Sequence, residues 1–372
     1  MKRAFLRILK LFFACVLFLF LLIGFQIFRG WRCELEGQLR PPVPRPPERV
    51  SLTSGIHDYA RPEDDAFLGY PEWYIVWSYQ EKADFQEKAL PSGFPYFAAV
   101  RQYWNSYCCI TRLVRGKYPY NGGENLMLVV IGTSFSGEYI LKGLYEKSVG
   151  RLSERISGYQ SVEEDRFAYK VAREYADFVH VRPFYEFHFA HQVKALWTET
   201  PFWGRHLFRK WERRAFLTLD YAFEAFYSWL IEKVSHATYG VEPSSTYAWI
   251  DHASDALFQQ QPPRVRNIKQ IGPSSFIVDI PRYQEFTVVA SLFSQQGVQF
   301  VEIAGNTQIS FSVIAPASWR HLRSDAVPLF SAPVLTRPGF NRVVFACDVA
   351  SLHSVLPELL SEKVFFEHLY DY

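Results

Sequence analysis

Eighteen residues near the start of the chain, Leu11 to Phe28, carry no charge and read LFFACVLFLFLLIGFQIF. As a helix this run would be roughly 27 Å long, about the thickness of a bilayer's hydrocarbon core. Lys2, Arg3, Arg7 and Lys10 precede it, as in a secretory signal. The residues that follow, Gln26 to Arg32, are bulky and basic where a peptidase requires small ones, so the expectation is an uncleaved anchor. Arg29, Arg32, Arg40 and Arg45 nearly balance the charge before the helix. A short amino-terminal tail staying inside then favours an extracytoplasmic bulk. Two further apolar stretches, 126–136 and 215–231, lead into or contain acids, and such acids disfavour a membrane span.

A Pro-rich segment, RPPVPRPPER at 40–49, reads as an extended spacer. From 51 to 260 the apolar spacing is helical. Pro71 and Glu72 open a helix that Pro91-Ser92-Gly93 stops. Further helices are expected over 95–114, from about 126 to 155, after a capping box at Ser161 to Glu164, over 183–197, over 201–237 and over 245–258. Gln259 to Pro263 mark a boundary, after which the pattern turns strand-like. Strands are expected at 264–271, 276–280, 299–303, 308–314, 342–346 and 364–370, with helices at 283–295 and 350–362. Ala304 to Thr307 signals a hairpin.

The predicted class is therefore α+β. Its parts are a basic tail (1–10), a transmembrane signal anchor (11–28), a Pro-rich stalk (29–50), an aromatic-rich helical domain (51–260) and a small ferredoxin-like α+β domain (262–372). Composition adds an unusual load of rings: ten Trp, 22 Tyr and 33 Phe among 372 residues, gathered mostly in the helical part. That load excludes a disordered chain. With 40 basic against 38 acidic residues there is no field to attract nucleic acid. Five Cys are too few for a disulfide scaffold, and the adjacent pair Cys108-Cys109 offers neither a redox motif nor metal spacing, so the cysteines are expected to be small core residues.

Candidate chemistry is sparse. Glu186, His188 and His191 form the nearest approach to a metal constellation, but Glu-x-x-His spacing and a second copy are missing, so packed histidines are the simpler reading. Glu138, Asp220 and Glu224 are acids inside apolar helices. Converging, they would have raised pKa values and suit acid–base work; otherwise they pair with Lys142, Arg213 or another base. Ser134, in Gly132 to Gly137, fails the nucleophile-elbow spacing, which leaves close helix contact as the reason for the small residues. No cofactor motif is present.

The segment Tyr-Pro-Glu-Trp-Tyr-Ile-Val-Trp at 70–77 is the most distinctive word, suited either to a core or to a wet interface. Together with 56–63 and 94–97 it resembles a family of single-pass bacterial membrane proteins, a likeness that extends through Gly150 to Leu152 and 197–240. The resemblance implies a bacterial inner-membrane setting with a periplasmic domain, and carries no activity. The resulting expectation is a membrane-anchored envelope scaffold. It would contact the bilayer through 11–28 and take a protein or lipid partner at the helical domain. A metal- or acid-dependent enzyme and a lipid-handling accessory are the alternatives.

Overall fold

The computed structural model describes residues 2–238, 244–254, 257–258, 264–320, 325–362 and 364–372. The boundary expected at Gln259 to Pro263 lies outside them. The chain forms two units: a helical one of Met1–Cys33, Glu72–Cys108 and Leu126–Gly240, and a mixed one of Glu34–Pro71, Cys109–Asn125 and Val241–Tyr372.

The helices are α1 (Lys2–Gly30), α2 (Pro47–Thr53), α3 (Asp65–Lys88), α4 (Tyr96–Val114), α5 (Gly122–Tyr145), α6 (Arg151–Ile156), α7 (Glu163–Val179), α8 (Phe189–Glu199) and α9 (Leu207–Thr238). Helix α3 starts before the expected Pro71, which lies inside it. Ala66, Phe67 and Leu68 are fully buried there, and their burial outweighs the roughly 3 kcal/mol that an interior Pro costs. Trp73, Tyr74 and Trp77 are buried too, so the distinctive aromatic word is core.

Among the described residues no helix is long and apolar enough to cross a membrane. The expected transmembrane signal anchor, and with it the single-pass inner-membrane and periplasmic placement, is corrected on this point. The end of α1 is docked on protein instead. Ile23 and Gln26 are buried, and Gln26 Oε1 accepts a 3.2 Å hydrogen bond from Arg101 Nη1. Gly30 lies so close to α4 that a Cβ would stand 2.4 Å from the Arg101 carbonyl oxygen.

Small residues on α5 serve the same end. A Cβ on Gly132 would lie 2.1 Å from the Tyr103 ring, and Ser136 Oγ accepts from Trp104 Nε1 at 2.9 Å. Rings fill the interior around this contact, with Phe135 and Tyr139 centroids 4.2 Å apart and Tyr96 5.7 Å from Tyr139. Close helix packing thus accounts for Gly132 and Ser136, whereas Gly137 has open space around it.

The other end of the helical unit is held by charge. Arg209, Lys210, Arg213 and Arg214 on α9 are at most 1% exposed. Arg209 reaches Asp165 at 2.8 Å and Glu212 at 3.1 Å. Lys210 and Arg214 share Glu164 at 3.1 and 2.8 Å. Arg213 binds Glu146 at 2.7 Å. Glu146 opens a π-helical turn, Glu146–Gly150, between α5 and α6. The cap of α7 falls one residue later than expected: the Val162 N–H donates to Asp165 Oδ2.

In the mixed unit, two four-stranded antiparallel sheets replace the single small sheet expected. The first is β1 (Ser245–Asp251), β2 (Arg266–Gly272), β3 (Ser275–Pro281) and β4 (Gln299–Ile303), ordered β2-β3-β1-β4. The second is β5 (Gln308–Pro316), β6 (Ala326–Pro333), β7 (Phe340–Asp348) and β8 (Phe365–Tyr370), ordered β6-β7-β5-β8. Helix α10 (Gln284–Gln295) precedes the last strand of the first sheet, and α11 (Leu352–Ser361) that of the second.

The helix expected over 245–258 begins as strand β1, whose Ala248, Trp249 and Ile250 are buried on pairing. Strand β6 was hidden by Pro328 and Pro333, which an edge strand tolerates because one side of its backbone needs no donor. Strands β4 and β5, expected as a hairpin, enter different sheets. The turn between them holds Gly305 at φ +75°, where a Cβ would lie 2.8 Å from Ala60 Cβ.

Phe276, Val278, Phe286, Phe311, Phe345, Leu352 and Val355 belong to one core common to both sheets and both helices. The Pro-rich segment lies against this unit. Arg45 and Arg49 reach the fully buried Glu302 at 2.8 and 3.4 Å, and the Tyr59 hydroxyl donates to it at 3.2 Å. Cys33 and Cys109 each take part in a disulfide, whereas Cys108 and Cys347 do not, so two of the cysteines are not the plain core residues expected.

Replacing Arg209 by Ala would leave Asp165 and Glu154 short of a buried partner. Its expected cost is about 3–5 kcal/mol. Urea titration checks this through a lower midpoint at an unchanged slope.

Candidate functional site

Glu138 and Lys142 stand four residues apart on α5, and Asp220 and Glu224 four apart on α9, so each pair shares a helix face. The two faces meet. Lys142 Nζ lies 2.7 Å from Glu138 Oε1, 3.0 Å from Asp220 Oδ1 and 3.2 Å from Glu224 Oε1. All four side chains are 12–13% exposed. Both alternatives open in the sequence are therefore realised together: the acids converge, and they do so by pairing with Lys142.

The cluster opens on a cavity of about 50 Å³, room for about two water molecules. Around it stand Lys82 and Tyr79 from α3, Tyr175 from α7 and the Arg213–Glu146 pair. The Tyr79 hydroxyl donates to Glu138 Oε2 at 2.6 Å, and its ring meets that of Tyr175 edge-on at 4.9 Å. Burial, reinforced by Glu138, holds the Tyr79 hydroxyl well above the ordinary phenol range.

Burial also pushes the Glu224 carboxyl up to about 7, with Glu138 adding to the effect and Lys142 opposing it. Burial works against the charge on Lys142, yet Asp220, Glu138 and Glu224 together keep its ammonium well above the usual lysine range. Lys82 goes the other way: burial, and then the charge of Lys142, lower its pKa. Among the described residues it makes no hydrogen bond or ion pair. Its side chain is partly exposed and lines the same cavity.

The second sequence candidate is not assembled. Glu186 lies in a short 3-10 turn, 3.9 Å from Arg182 Nη1. His188 caps α8 rather than sharing its face with His191, and both imidazoles are exposed. No group of three or more His, Cys, Asp and Glu side chains suited to a metal ion occurs among the described residues. His180 packs on Trp77 with centroids 5.1 Å apart.

Lys82, Tyr79 and Tyr175 were missed by sequence reasoning. A signal existed: Tyr79, Lys82 and Gln86 fall at i, i+3 and i+7 of one helix, a polar stripe on an aromatic element. No family model matches the chain, and no curated protein or solved structure is significantly similar to it.

A carboxyl whose folded pKa is raised stabilises the protein in its protonated form. That contribution is full below the unfolded value of 4.5 and is lost as pH rises toward about 7. The expected loss is about 1.4 kcal/mol per pH unit across that window. Glu224→Gln should flatten this part of the profile, which urea midpoints measured from pH 4.5 to 7.5 for both proteins would show.

Proposed function

We propose that the helical unit is an acid–base site that exchanges a proton with a small substrate through Glu224. The observation that carries this reading is the meeting of three carboxylates on one buried lysine beside a small cavity. Lys142 pairs with Glu138 and Asp220, and Tyr79 orients Glu138. Glu224, pushed up to about 7 by burial, is the group poised to give and take a proton near neutrality. The Lys142 ammonium already occupies the position between carboxylates that a divalent cation would need, which favours the acid-dependent form of the enzyme over the metal-dependent one.

Difference infrared spectroscopy of the whole chain tests this directly. The expected result is a protonated-carboxyl band that titrates near pH 7 and is missing in Glu224→Gln. A wild-type spectrum without that band would sink the proposal. Lys142→Met should make Glu224 hold its proton to higher pH, since the ammonium opposes the upward shift. It should also destabilise the fold by about 3–5 kcal/mol, read as a lower urea midpoint.

An interaction scaffold is the second reading, and exposed apolar side chains favour it. Phe18, Leu21 and Phe28 of α1, Leu126 and Val130 of α5, and Phe223, Phe226 and Trp229 of α9 are each more than half exposed. Surfaces of this kind commonly mark contact sites. A groove lined by Phe18, Leu19, Leu22, Leu141 and Leu144 would serve the lipid-handling variant. A Phe223→Gln/Phe226→Gln variant should associate less in light scattering. A wild-type chain that is already monomeric would remove the self-association form of this reading.

In the mixed unit, we read each sheet, with its one helix, as a ferredoxin-like half. Both orders place the third strand between the first and second and the fourth at the far side of the first. Such folds carry many unrelated functions, so this likeness assigns none.

A further inference from the structure

Among the described residues, Lys82 is a cation of the helical unit for which packing provides no ion pair. Every other cation lining the cavity is engaged: Lys142 by Glu138, Asp220 and Glu224, and Arg213 by Glu146 and Asp165. Lys82 lines the same cavity without a hydrogen bond or ion pair among the described residues. A lysine lining a small cavity, beside a second ammonium and a carboxyl that burial pushes up to about 7, has the surroundings that turn a lysine into a nucleophile.

We infer that Lys82 condenses with a small uncharged aldehyde or ketone, the cavity being its binding site; this rests on the acid–base reading of the same cluster. Size follows from volume. Displacing about two waters makes room for about two carbons with their oxygen. Charge follows from the lining: an anionic substrate would meet Glu138, Glu146, Asp220 and Glu224, whose partners Lys142 and Arg213 are already committed. The lowered pKa of Lys82 increases the fraction of free amine.

The step balances without any further reagent. The amine lone pair attacks the carbonyl carbon, a C–N bond forms, and the oxygen takes up the nitrogen's proton to give a carbinolamine. The C–O bond then breaks with the proton of the Glu224 carboxyl, and water leaves. The products are a protonated imine and the Glu224 carboxylate, an ion pair that replaces two neutral groups.

The test incubates the full chain with acetaldehyde and cyanoborohydride at pH 7 and follows ethylation of each lysine by peptide mass spectrometry. Lys82 is expected to be modified at least tenfold faster than Lys170, whose side chain is 57% exposed on α7. Equal or slower modification of Lys82 in protein of native circular dichroism would overturn the inference. Lys82→Arg keeps a cation in the cavity and should abolish the fast adduct. If the fast adduct persists in that variant, the assignment to Lys82 is wrong. Glu224→Gln should slow capture at Lys82 about tenfold without changing Lys170. Fast capture that is indifferent to Glu224 supports the carbonyl site and counts against the proton reading. A Glu224 band titrating near neutrality without capture retains the proton reading and removes Lys82.

Discussion

Charge that has been taken out of water must be met by charge, and the helical unit is arranged around that requirement. Helix α9 carries Arg209, Lys210, Arg213 and Arg214 into the interior, and Glu146, Glu154, Glu164 and Asp165 are brought to them. The π turn at 146–150 and the acid-rich start of α7 gain their positions from this pairing. A well-packed apolar substitute for such a network can be as stable, so the pairs need not raise stability. Their consequence is selectivity of arrangement, because losing one partner strands another.

The candidate site continues the same design along α9. Arg213, Leu217, Asp220 and Glu224 recur at helical spacing and face one cavity, while Glu138 and Lys142 on α5 and Glu146 at the start of the π turn do the same. Near Arg213 the charges are matched closely. Near Lys142 three carboxylates share one ammonium, and Glu224 responds by holding its proton more tightly. That local excess of acid, next to an amine without an ion pair among the described residues, distinguishes this cluster from the matched network beside it.

In the mixed unit the same rule appears on a smaller scale. Glu302 is fully buried on β4, and the arginines of the Pro-rich segment answer it. A stretch whose composition suggests an extended spacer is thereby laid against the sheets. The two sheets share a strand order, and each sets its helix before its last strand. No repeat is visible in the residues, because a β-strand edge and a buried face can be built from many different apolar side chains.

Much of the helical layout was legible in the sequence. Periodicity, the stop at Pro91 to Gly93 and the small residues of α5 report local chemistry, and α4, α7 and α9 follow them closely. Spacing also put Asp220 and Glu224 on one face. It did not say what that face meets. Whether the acids converge, which cation they share and whether Lys82 meets a carboxylate depend on α3, α5 and α9 approaching one another across long separations in the chain. The strand Ser245–Asp251 was misread for a related reason: strand identity rests on pairing with β3 and β4, which lies outside the local pattern. An apolar run alone likewise did not fix the role of α1, whose last turns are decided by Arg101 and Trp104. Local sequence determined which segments are helices and where their charges fall. Tertiary packing decided which of those charges meet a partner and which carboxyl holds its proton more tightly, because the shift depends on what surrounds each group.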